Sequence, residues 1–100
     1  MYNVKITALR QTTYPDLSAA YEHPQPVPCE LTVGQTWVAV SGQRPEHFCD
    51  SAWQTLCPFV EALARGEGGF YGQWMLNSHS AMLSCNDGFR PMTFLIERID

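Results

Sequence analysis

Apolar and polar positions alternate at the start of the chain. Tyr2, Val4, Ile6 and Ala8 fall on one side, and Asn3, Lys5 and Thr7 on the other. A period of two predicts a half-buried strand over 2–9. From residue 51 the period changes. Trp53, Leu56, Cys57, Val60, Leu63 and Ala64 recur at three- and four-residue steps, which predicts one amphipathic helix near 51–65. Ser51 followed by Gln54 fits a capping box, with Asp50 adding negative charge where the helix dipole favours it. Arg65-Gly66 fits a stop. Pro58 removes a backbone donor and crowds the preceding turn, so a kink near Gln54–Cys57, or a division into two short helices, is expected.

Between these elements, Asp16 to Tyr21 reads as a short helical turn, and Pro24, Pro26 and Pro28 impose an extended connection. A glycine turn at Gly34 leads into a strand over 36–41. Four glycines in seven residues (Gly66, Gly68, Gly69, Gly72) surround the aromatic run Phe70-Tyr71-Gly72-Gln73-Trp74-Met75, predicting a loop with unusual backbone angles or real mobility. Residues 81–85 and 92–99 are two strands joined by a turn on Asn86-Asp87-Gly88, with Pro91 at a strand start or on an edge. The first and last strands both alternate and can pair. The order strand, strand, helix, hairpin lacks β–α–β alternation. It predicts a single α+β domain over 1–100: a mostly antiparallel, curled four-stranded sheet packed on one main helix, ending in a β-hairpin.

Composition narrows the function classes. The 100 residues are 45% hydrophobic and 16% charged, as a globular chain requires. Ten acidic against six basic residues give a net charge of −4, and Lys5 is the only lysine, which argues against nucleic-acid partners and anionic membranes. The N-terminal residues do not form a signal peptide, and no apolar run approaches a membrane span. A cytoplasmic location is expected. There, four cysteines are thiols or metal ligands more often than disulfides.

Several segments carry a family resemblance. They are Val4-Lys5-Ile6-Thr7, Pro28-Cys29, Val33-Gly34-Gln35, Pro45-Glu46-His47-Phe48-Cys49, Ala52-Trp53 and Ala62-Leu63-Ala64-Arg65-Gly66. Cys85-Asn86-Asp87-Gly88-Phe89-Arg90-Pro91 and Phe94-Leu95-Ile96-Glu97-Arg98-Ile99 complete the set. Together they resemble an uncharacterised family of small prokaryotic single-domain proteins of about 100 residues. The resemblance spans nearly the whole chain and implies cysteines at Cys29, Cys49 and Cys85. It implies no activity. Cys57-Pro58 departs from the uninterrupted helix of similar proteins, and Cys29-Glu30 from their Cys-Pro pair.

Three constellations could carry chemistry. Cys29, Cys49 and Cys85 each sit where an element begins or ends, and His47 would complete a four-ligand metal shell. No pair has the spacing of a structural zinc site, however, and three small, buried, inert thiols are the plainer explanation of the cysteines. Cys49 precedes a helix N-terminus, which favours a thiolate, and His47 is near enough in sequence to act as its base. Asp50 opposes that thiolate, and no local catalytic signature surrounds it. Cys57 lies on the apolar stripe and is expected in the core. Lastly, Arg90 and Arg44 with Trp53, Tyr71 and Trp74 could line a pocket for a small anionic or aromatic ligand, against the plainer reading of core aromatics and an Arg90–Asp87 pair. No P-loop, dinucleotide-binding, zinc-protease or nucleophile-elbow motif occurs, and no cofactor is called for. The pattern therefore favours a small ligand-binding or protein-interaction module, with a homodimer burying part of Trp74-Met75 and a sheet edge. The alternative is a thiol-dependent enzyme or metal site on Cys29, Cys49 and Cys85.

Overall fold

A computed structural model describes residues 1–24 and 31–100. Most of the proline-rich connection, and Cys29 with it, lies outside the described residues. Four strands form one open antiparallel sheet: β1 (Val4–Gln11), β2 (Thr36–Ala39), β3 (Ser80–Ser84) and β4 (Met92–Arg98), in the order β2-β1-β4-β3. The alternation of β1 places Val4, Ile6 and Ala8 against the core. Met92, Phe94 and Ile96 do the same from β4. These two strands pair at the centre, with Ile6 opposite Ile96 and Lys5 opposite Glu97. The pairing slips between Ala8 and Arg10, where Leu9 is a bulge that turns Arg10 to face Thr93. The hairpin β3–β4 is antiparallel as the pattern requires, with Leu83 opposite Phe94.

One face of the sheet is covered by α2 (Asp50–Ala64). It begins one residue early, and the expected capping box does not form: Cys49 is the N-cap, with no side-chain cap. The Cys49 carbonyl accepts from Trp53 N–H at 2.9 Å. The helix runs through Pro58 as one 15-residue element, so of the two expected outcomes, a kink or a division, the division does not occur. Pro58 and Gln54 are both exposed, so the Gln54 carbonyl that loses its donor faces water rather than the core. At the other end Gly66 N–H bonds the Leu63 carbonyl and Glu67 N–H the Ala62 carbonyl. With Gly66 at φ 95°, this is a Schellman cap. The buried stripe is Ala52, Leu56, Val60, Ala62, Leu63 and Ala64. It is turned slightly from the expected one: Trp53 is half-buried, and Cys57 is half-buried rather than in the core.

Phe48, 1% exposed just ahead of α2, joins sheet to helix. Its ring meets Trp37 edge-on at 4.8 Å, Phe94 at 5.9 Å and Trp53 at 6.1 Å. Such pairs add about 0.5–1.5 kcal/mol each beyond the area they bury. After β2 the chain makes a tight turn, Val40–Gly42. Gly42 (φ 78°) lies so close to α2 that a Cβ there would sit 2.8 Å from the Ala64 Cβ. Of the two other helices, α1 (Pro15–Tyr21) buries no residue, and α3 (Phe70–Gln73) is a four-residue turn with left-handed residues inside it.

Candidate functional site: an aromatic loop and its surroundings

The sequence-predicted residues fall into separate places. Arg44 donates to the Phe48 carbonyl and to Asp50, so it braces the entrance of α2. Arg90 makes a two-pronged contact with Glu22, at 2.9 and 2.7 Å, and a third bond to Ser18 Oγ at 3.1 Å. That fork ties the end of α1 to the β3–β4 turn. Its hydrogen bond to Arg90 holds the Glu22 carboxyl below its ordinary range. The partner of Arg90 is therefore Glu22, not Asp87, whose Oδ1 accepts from the backbone N–H of Phe89 and Arg90. Glu22 and Arg90 are far apart in the chain, and no local spacing could have announced the pair.

The described cysteines, Cys49, Cys57 and Cys85, lie in three separate places. Cys49 packs on the core cluster. The Cys85 sulfur accepts from the Met92 N–H at 3.4 Å, and the neighbouring Asn86 docks on α2 through Thr55 Oγ1 at 2.8 Å. Cys57 lies 3.1 Å from a Glu61 carboxylate oxygen, and burial, reinforced by Glu61, pushes its thiol up to about 11. His47 is exposed with a left-handed φ of 60°, on the turn before Cys49. Among the described residues, no three His, Cys, Asp or Glu side chains are grouped to hold a metal ion.

Tyr71 and Trp74, by contrast, do come together. Their rings meet at 5.5 Å. Phe59, half-buried on α2 beside the core, contacts Phe70 at 5.2 Å and Tyr71 at 5.9 Å, so helix and loop share one aromatic group. Trp53 belongs instead to the group around Phe48. The loop backbone is unusual, as its glycines foretold. Tyr71 (φ 49°), Gly72 (φ 67°) and Gln73 (φ 69°) are left-handed in succession. For the two residues with side chains this costs about 1–2 kcal/mol each. Gly68 fits where a Cβ would lie 2.3 Å from the Ser78 carbonyl oxygen, and Gly69 N–H bonds that same oxygen at 2.7 Å. The outcome is an anchored loop with outward apolar side chains: Tyr71 is 71% exposed, Trp74 48%, and Leu76 fully.

No family model, curated protein or solved structure matches the chain.

No helix of the described residues is long and apolar enough to cross a membrane.

Proposed function

We propose that this chain is a small binding module that recognises a partner protein through the loop 69–76. The observation that carries this reading is the outward display of Tyr71, Trp74 and Leu76 on a left-handed backbone. Exposed aromatics beside an exposed leucine are costly to leave in water and are the residue types that anchor interfaces. Strained backbone persists where the surroundings hold it, and it concentrates at functional sites. The strained residues Tyr71 and Gln73 are themselves exposed, while Phe70 beside them packs inward against the core and Phe59. Cys49, Cys57 and Cys85 are free thiols, which favours a reducing compartment such as the cytoplasm.

The test compares the wild type with a Tyr71→Ala/Trp74→Ala/Leu76→Ser variant, each immobilised and exposed to lysate of the cells that make the protein. Because these side chains are exposed, the variant should stay folded by circular dichroism, its unfolding midpoint lowered only by the lost ring contacts of Tyr71 with Phe59 and Trp74. The reading requires a protein retained by the wild type and lost from the variant. Identical retention by both would sink it.

A further inference from the structure

We infer that the outer edge of β3 is a self-pairing surface, on which a second copy of this chain docks its own β3 antiparallel about a two-fold axis at Leu83. Two backbone bonds fix which groups point outward. Arg98 N–H bonds the His79 carbonyl at 3.0 Å, and Cys85 N–H bonds the Met92 carbonyl at 3.1 Å. Both put odd-numbered residues of this segment into the β4 ladder. Inward and outward groups alternate along a strand, so Ala81 and Leu83 also face β4, whereas Ser80, Met82 and Ser84 turn their N–H and C=O away from it. Ser78 follows the same parity, and its outward carbonyl is taken by Gly69.

Burial then selects the register. Ser80 is only 2% exposed and so is covered, which leaves Met82 and Ser84 as the accessible outward pair. Among the described residues, no backbone group bonds either of them on that side. A two-fold axis at Leu83 sets Met82 against the partner's Ser84 and Ser84 against the partner's Met82. All four N–H and all four C=O groups so presented then pair. The same axis brings Leu83, half-buried at the sheet margin, against its own copy.

The chemistry of the strand argues for this occupant. Sheet edges are ordinarily blunted by Lys, Pro, an inward charge or a bulge. Ser80-Ala81-Met82-Leu83-Ser84 has none of these, and its pairing with β4 is regular. Two chains that each carry −4 repel, and a neutral strand is where they can approach. The opposite edge, β2, is only four residues long and ends in a tight turn. This inference does not rest on the loop reading, because Tyr71, Trp74 and Leu76 take no part in the pairing.

The experiment is sedimentation velocity across the micromolar range on the wild type, Ser84→Pro and the loop triple variant. The Ser84 N–H faces outward, so proline there removes a donor to the partner and leaves the β3–β4 ladder whole. The expected result is a species of twice 11.3 kDa for the wild type and the loop variant, and 11.3 kDa for Ser84→Pro. A wild type that stays at 11.3 kDa overturns the inference, as does a Ser84→Pro dimer. Leu83→Cys gives a reading that needs no proline. Opposed residues at such an axis have Cα atoms about 4.5 Å apart, within disulfide range. Oxidation should join the two copies through residue 83, as mapped by mass spectrometry, and failure to do so also overturns the register.

Discussion

Replacing Pro58 by alanine should stabilise this protein, although proline is usually regarded as a rigidifying residue. The substitution restores an N–H that can bond the Gln54 carbonyl inside a helix that already runs through this position. Proline in a helix interior is about 3 kcal/mol less favourable than alanine. Part of that deficit is already offset, because Gln54 is exposed and water can solvate its carbonyl. Pro58 is itself exposed, so its removal opens no cavity. The net gain should be about 1–3 kcal/mol, which for a domain of this size raises Tm by roughly 4–24 °C. Urea unfolding followed by tryptophan fluorescence and by circular dichroism would show a higher midpoint at an unchanged slope. An equal or lower midpoint would refute the reasoning, because it would mean that the helix is effectively broken at Pro58 or that the ring is held by packing.

Gly42→Ala should destabilise by about 2–4 kcal/mol, because it adds a left-handed alanine and a clash with Ala64; a wild-type urea midpoint would contradict this close approach. Glu22 titrates below 4.5 in the fold, so its stabilising contribution is complete above its unfolded pKa and fades as pH falls through the lowered folded value. The wild type should therefore lose urea resistance more steeply below about pH 4.5 than Glu22→Gln does, and parallel curves would dismiss the Arg90 fork as a stabilising contact. With its thiol moved from 9.0 to about 11, Cys57 should react with iodoacetamide at pH 8 roughly a hundredfold more slowly in the native than in the unfolded chain. Glu61→Gln should recover part of that rate; native labelling at the unfolded rate would show the thiol to be unperturbed.

Much of the architecture could be read directly from periodicity. β1, β4 and α2 each carry an apolar repeat long enough to outweigh local irregularity, and the Arg65-Gly66 stop is realised in detail. What escaped the pattern depends on tertiary surroundings. Whether proline breaks a helix depends on what faces the orphaned carbonyl, which residue order does not state. The Ser51–Gln54 cap was available but unused, since the chain enters α2 from Phe48, which is fixed by Trp37 and Phe94. The alternation breaks at Leu9-Arg10, but residue order does not state that the break is a bulge, because the bulge belongs to the pairing with β4. Of the site, the glycine spacing foretold the odd backbone of the loop, and the meeting of Tyr71 with Trp74 follows from their separation of three residues. The engagement of Arg90 by Glu22 and of Arg44 by Asp50 could not be weighed before the fold brought the partners together.

The central pair of strands has a consequence for how the protein is made. β1 is synthesised before α2 and β4 after it, yet each is the other's main neighbour. When α2 leaves the ribosome, its stripe of Leu56, Val60 and Leu63 has only β1 and β2 to cover it. At about 5–20 residues per second, the chain waits roughly 2–7 s between residue 64 and residue 98. The sheet cannot close before then, and so distant a pairing also slows folding itself. Through that interval the stripe of the nascent helix stays partly uncovered, and a pause in translation ahead of residue 92 would lengthen its exposure.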